Sequence, residues 1–210
     1  MTDVDNPNPA AEPDPADGDA ATAIATDGSE KTDKAARRRR ATIEWIVLIG
    51  AALIIAIVIK TFLFQAFYIP SESMVPTLKV GDRVLVNKLS YDLHDVHRGD
   101  IVVFKAPPEA RSDGIDDLVK RVIGLPGDTV EAREDGRIYV NDRLLDEPYL
   151  PEGTRTTNLP PTKVPAGHLF MMGDNRTASR DSRYFGPIAE SAIIGRVFLK
   201  IWPPGSIGIM

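Results

Sequence analysis

From Trp45 to Ile59 the chain runs through fifteen residues without a charged or strongly polar side chain, and Thr61-Phe62-Leu63-Phe64 continues the run past a single Lys60. Twenty helical residues rise about 30 Å, the thickness of a bilayer's hydrocarbon core, and a lysine near one end reaches the interface along its own stem. The pattern predicts a transmembrane helix over 43–64, because soluble helices are seldom apolar on every face over such a length. Beyond it, short β-branched and aromatic runs alternate with clusters of Gly, Pro, Asp and Asn, which favours strands. Arg83 to Val86, Asp100 to Phe104, Leu118 to Ile123, Thr129 to Arg133, Arg137 to Val140, His168 to Met172 and Ile193 to Lys200 are the expected strands. Glu134-Asp135-Gly136 reads as a hairpin turn, while 106–116 and 146–166 read as surface connections. The expected fold is mainly β: coiled antiparallel or barrel-like sheets over 65–210, following one N-terminal membrane helix.

Charge changes the picture at the N-terminus. Residues 1–30 carry eight acidic side chains and no Lys or Arg, with Pro, Ala and Asp dominating. Such a segment buries too little apolar surface to offset its ordering entropy, so 1–40 is expected to be a disordered acidic tail ending in an arginine run. Arg37-Arg38-Arg39-Arg40 directly precedes the apolar span, and positive charge in that position stays in the cytoplasm. The expected topology is single-pass in the cell membrane, with the tail cytoplasmic and 65–210 extracytoplasmic. A cleaved signal peptide fits less well, since bulky Phe62, Phe64 and Phe67 stand where a small-x-small site would follow. Residues 65–210 hold 18 basic and 20 acidic side chains, which is no nucleic-acid footprint. Cysteine is absent, which excludes disulfides, thiolate metal sites and a cysteine nucleophile.

Candidate chemistry begins with Pro70-Ser71-Glu72-Ser73-Met74-Val75-Pro76-Thr77-Leu78, two hydroxyls in a proline-bounded turn. A nucleophilic serine needs a base, and histidine is the usual one. Here His94 and His97 lie in a polar stretch and His168 opens a strand, with no third ligand or triad partner at a recognisable spacing. Lysine is the alternative. A free lysine is almost wholly protonated near neutral pH, so it must be desolvated to act as a base. In Leu118-Val119-Lys120-Arg121-Val122-Ile123, strand alternation sets Lys120 with Leu118 and Val122 on one face and Arg121 on the other, so that one of two adjacent cations is buried.

Three motifs, in order and spacing, resemble bacterial type I signal peptidases: Ser71-x-Ser73-Met74-x-Pro76-Thr77-Leu78, Lys120-Arg121-Val122-Ile123-Gly124-Leu125-Pro126-Gly127-Asp128, and Gly173-Asp174-Asn175-Arg176-x-x-Ser179-x-Asp181-Ser182-Arg183. The resemblance covers roughly 43–202. It implies a membrane-bound serine endopeptidase that removes signal peptides by cutting after small-x-small sites, with Ser73 as nucleophile and Lys120 as general base. It further implies that Ser71 donates to the oxyanion, that Ser179 hydrogen-bonds the lysine, and that Asp181 and Arg183 buttress the region. By the same resemblance Phe67, Ile69, Pro70, Met74, Leu78, Leu118 and Val119 line shallow apolar subsites. The implied partners are exported precursor proteins, the lipid bilayer and the secretion machinery; no cofactor, metal or nucleic acid is expected. Glu72, where many relatives have glycine, and Thr177-Ala178 depart from the pattern without removing a catalytic group. The short segment between Asp128 and Phe170 predicts only a small accessory β region. Two other readings are a self-cleaving Ser/Lys protease of the repressor type, disfavoured by the membrane span, and a silent β adaptor for extended peptides, which would not need Lys120.

Overall fold

The computed structural model describes residues 19–59, 63–111, 115–157 and 159–210. It divides into an N-terminal helical unit and a β unit from Ile57 to Met210. The helix, α1, runs from Asp19 to Val58. It starts inside the tail that composition assigns to disorder, where alanines at 20, 21, 23, 25, 35 and 36 supply the strongest helix propensity. Residues 1–18 of that tail lie outside the described residues. Arg37–Val58 is long and apolar enough to cross a membrane, and none of its apolar stretch is buried against protein.

The helix ends at Val58, before the Phe64 end of the expected 43–64 span. Phe64 to Tyr68 forms a strand, β1, because its aromatic residues suit a pleated ladder and pair antiparallel with Arg83 to Asn87. Lys60, Thr61 and Phe62 lie outside the described residues.

The strands that follow are β2 (Arg83–Asn87), β3 (Ile101–Lys105), β4 (Asp117–Gly124), β5 (Thr129–Ala132), β6 (Ile138–Val140), β7 (Arg143–Leu144), β8 (Leu159–Lys163), β9 (His168–Met172), β10 (Ile188–Ala189), β11 (Ile193–Trp202) and β12 (Gly208–Ile209). One sheet has the order β1-β2-β11-β3-β4-β9-β10, with β12 on β11. The other has the order β7-β6-β5-β8. All pairings are antiparallel, and register breaks in β11, β4 and β5 curl the ladders. The mainly-β expectation holds. Two short helices, α2 (Ser90–Leu93) and α3 (Ser182–Phe185), interrupt the connections.

Three apolar clusters hold these ladders together. Ile69, Met74, Leu78, Val84, Val86, Ile101, Val103 and Val197 form the one that carries the turn after β1. Val102, Phe104, Val122, Leu169, Met171 and Ile188 form a second. The third, around Ile123, Val130, Ile138 and Phe170, joins the smaller sheet to the ends of β4 and β9.

The smaller sheet lies within the segment expected to hold a small accessory region, and two of its strands had no clear sequence signal. Asn141 and Asp142 both take positive φ, 52° and 64°, making the two-residue turn that folds β7 back on β6. Leu159-Pro160-Pro161-Thr162-Lys163 reads as loop because proline cannot donate to a ladder. As β8 it sits at the sheet edge, where one row of donors has no partner to satisfy. The Glu134-Asp135-Gly136 hairpin forms as expected, with Gly136 at φ 76° and its N–H donating to Arg133.

Candidate active site

Residues 71–79 leave the edge of β1 in a tight turn in which Val75 N–H donates to Glu72 O and Leu78 N–H to Met74 O. Met74 and Leu78 sink into the core and pin the turn from below, leaving Ser73 at its crest half-exposed. The loop after β9 straps it from the other side. Asn175 N–H donates to Ser73 O at 3.1 Å, and its side-chain amide donates to Glu72 O at 3.2 Å. A Cβ on Gly173 would fall on Ser73 O and Ser179 Oγ, so only glycine lets the loop lie this close.

Lys120 comes from the middle of β4, opposite Val102 of β3, and is 2 % exposed. Its amine donates to Ser73 Oγ at 2.6 Å and to Val119 O at 3.0 Å. Burial is the largest influence on it and lowers its pKa to about 8, against the opposing pull of the Asp181 and Asp174 carboxylates. Ser71 Oγ lies 3.3 Å from Ser73 Oγ.

Asp181 and Arg183 pair as expected. Asp181 is fully buried, takes two hydrogen bonds from the Arg183 guanidinium at 2.8 Å each, and accepts Gly173 N–H at 3.0 Å. Arg183 also donates to Arg176 O at 2.7 Å, so the pair ties α3 to the 173–176 loop. Ser179 differs from expectation: it is buried, but its hydroxyl makes no hydrogen bond among the described residues, and the amine's two bonds go to Ser73 and Val119 instead.

Arg121 also departs from the alternation argument, since it is buried alongside Lys120 rather than left outside. The reason is a partner from a distant loop. Its guanidinium binds the Asp174 carboxylate through two bonds, of 2.8 and 2.6 Å, and Thr77 Oγ1 donates to the same carboxylate at 2.5 Å. The Tyr149 ring stacks on the guanidinium, 3.7 Å from its carbon. Arg121, Asp174, Thr77 and Tyr149 are the supporting residues that sequence reasoning missed. Arg121, Asp174 and Thr77 stood inside the quoted motifs, whereas nothing adjacent to Tyr149 signalled its destination.

Beside Ser73 and Lys120 lies a groove of about 270 Å³ lined by Phe67, Ile69, Pro70, Met74, Leu118 and Val119, six of the seven expected subsite residues. Leu78 is the exception. It is 0 % exposed and packs in the core beneath the turn, because the Met74-to-Leu78 backbone bond directs both side chains inward. Tyr68, Val103, Ala110, Ile115, Asp117, Ala178 and Arg180 also line the groove and were not foreseen. His94 and His97 are exposed near α2, and His168 makes a local contact with Ala166 O, so none belongs to this site. Among the described residues no group of three or more His, Asp or Glu is arranged to hold a metal ion.

A serine hydroxyl against a desolvated lysine amine, beside an apolar groove in a curled antiparallel sheet, is the arrangement of a serine peptidase of the Ser/Lys kind. The profile of the family described as "Signal peptidase, peptidase S26" matches residues 42–202. The chain belongs to that family and is of its bacterial type I kind, a membrane-anchored serine peptidase whose activity is the removal of signal peptides from precursor proteins. "Signal peptidase I" of Leptolyngbya laminosa is 43 % identical, over 79 % of this chain and 82 % of its own. "Probable signal peptidase I-2" of Synechocystis sp. is 42 % identical, over 76 % and 72 %. "Signal peptidase IB" of Staphylococcus aureus is 39 % identical, over 79 % and 92 %. A solved signal peptidase I from Enterococcus faecalis V583, 33 % identical, covers 50 % of this chain and 97 % of its own at a TM-score of 0.42.

Proposed function

We propose that Ser73 and Lys120 carry the cleavage, Ser73 Oγ attacking the scissile carbonyl while the neutral Lys120 amine takes its proton. The observation that carries this reading is the 2.6 Å contact between the two side chains at a lysine whose burial lowers its pKa to about 8. The protonated amine then delivers the proton to the leaving nitrogen, and the same amine activates the water that hydrolyses the acyl-enzyme. Ser71 Oγ and the Ser73 N–H stabilise the oxyanion, a contribution of about 3 to 4 kcal/mol per donor in comparable proteases. Ser179 engages Lys120 during turnover rather than at rest, since catalytic hydrogen bonds often tighten only in the complex. Asp181 and Arg183 hold the loop that carries it.

The precursor binds extended along the groove, with backbone bonds giving affinity and shallow apolar pockets selecting small side chains. Cutting after small-x-small sites follows. Arg37 to Arg40 keep the N-terminal tail cytoplasmic and set 65–210 on the outer face of the cell membrane, where precursors emerge from the secretion machinery.

The test is cleavage of a purified precursor in detergent, with fragments identified by mass spectrometry. Ser73→Ala and Lys120→Ala each abolish cleavage with the fold retained, and wild-type protein cuts after a small-x-small triplet. Normal processing by either variant would sink the dyad.

A further inference from the structure

The connection between β7 and β8 is polar and proline-rich, yet two of its residues, Glu147 and Tyr149, reach the buried charges next to the reacting lysine. Arg121 follows Lys120 on β4, and its guanidinium is a junction. It holds the Asp174 carboxylate at 2.8 and 2.6 Å, donates to Gly99 O at 2.9 Å and approaches Thr77 Oγ1 at 3.4 Å. Thr77 belongs to the turn that presents Ser73, and Asp174 to the loop that straps it, so one guanidinium joins three segments of the site.

The flat face of that guanidinium is covered by Tyr149 at 3.7 Å. The Tyr149 hydroxyl donates to Glu147 Oε1 at 2.7 Å, and Glu147 in turn accepts from Arg176 at 3.0 and 2.5 Å. Arg176, two residues beyond Asp174, has a side chain only 1 % exposed, and Glu147 is its carboxylate partner. Tyr149 therefore bridges the two cations that flank Asp174, one by its ring and one through its hydroxyl. Burial pushes its phenol well above the ordinary value, which keeps the hydroxyl a donor throughout the working pH range.

We propose that Tyr149 is a positioning residue for the cleavage reaction, locking Arg121 over Asp174 and thereby holding the Lys120 strand in register with the Ser73 turn. The inference rests on the reading of Ser73 and Lys120 as the reacting pair. The charged groups that bear on Lys120 are Asp181 and Asp174 from the strapping loop and Arg183 from α3. Without the ring, water reaches the Arg121–Asp174 pair, the guanidinium gains freedom to leave the carboxylate, and Lys120 moves relative to Ser73.

The experiment uses the full chain in detergent with a purified precursor, comparing Tyr149→Ala, Tyr149→Phe and Ser73→Ala across pH. Tyr149→Ala is expected to lower kcat about tenfold or more with KM held within about twofold, because geometry rather than substrate binding is lost. Its pH midpoint moves upward, since hydration opposes the burial that keeps the Lys120 pKa low. Tyr149→Phe keeps the ring over the guanidinium and is expected to retain kcat within about threefold of wild type. Wild-type kcat and midpoint in Tyr149→Ala would overturn the inference. So would a loss that only follows the folded fraction in thermal melts with the midpoint unmoved, which marks a purely structural role. An active Ser73→Ala would instead overturn the reacting pair, a distinct result that takes the positioning role with it.

Discussion

Lys120 Nζ stands 2.6 Å from Ser73 Oγ across 47 residues of sequence. Strand β4 delivers one partner and a turn pinned by Met74 and Leu78 delivers the other. The pairing in β3–β4, with Val102 opposite Lys120, keeps the amine from sliding along its strand. Four expectations follow from this arrangement.

The first concerns pH. Lys120 acts as a base only when neutral, and its pKa is lowered to about 8. The value of kcat/KM should therefore climb tenfold per pH unit below that point and level off above it, since this ratio reports the free enzyme. A profile flat from neutral pH upward, measured on a precursor whose binding does not titrate, would remove the lysine from the role of base.

Stability carries the signature of the same lowered pKa. The folded chain holds Lys120 near a pKa of 8 against 10.5 when exposed, so it binds fewer protons than the unfolded chain between those values and gains stability as pH rises through that window. Below about 8 the full penalty of burying the ammonium applies, about 3 kcal/mol from the size of the shift. Lys120→Met should thus be inactive yet melt several degrees higher at neutral pH, with the gain shrinking as pH rises from about 8 and gone above 10.5. Calorimetry at two pH values checks it, and a lower Tm at neutral pH would contradict it.

Ser179 should separate stability from activity. Its buried hydroxyl lacks a partner among the described residues, and an unsatisfied buried polar group costs about 1 to 3 kcal/mol. Ser179→Ala is expected to raise Tm while lowering kcat by about tenfold or more, the loss reflecting a hydrogen bond to Lys120 made during turnover. Unchanged kcat would remove Ser179 from the reaction.

Leu78 is a core residue rather than a subsite. Truncation to alanine should cost about 2 to 5 kcal/mol, as for other fully buried leucines. The cleavage position and the preference for small side chains should stay as in wild type, read by mass spectrometry of fragments at a temperature where the variant is folded. Altered site choice would return Leu78 to the groove.

Much of the site was legible in the chain because its chemistry is local. Ser73 and Ser71 sit in one turn, Asp181 and Arg183 are two residues apart, and the apolar span and its arginines are contiguous. Strands such as His168–Met172 carried their own β-branched or bulky signal. β8 did not, because two prolines deny it the usual ladder, and only a place at the sheet edge makes that sequence a strand. The end of α1 is likewise not legible in the chain, since hydropathy cannot distinguish Phe64 in a membrane helix from Phe64 paired with Asn87.

The sequence by itself determined the mainly-β class, the apolar anchor and the side chains proposed to react, since these depend on residue type and near-neighbour pattern. Only the tertiary structure decided that Lys120 is buried against Ser73, that Arg121 is buried beside it, that Ser179 stands unbonded and that Tyr149 closes over the Arg121–Asp174 pair. Alternation along a strand permits one of two adjacent cations to be buried. Burying both takes a carboxylate and an aromatic ring from residues 53 and 28 positions away along the chain, and those contacts exist only once the sheets have closed.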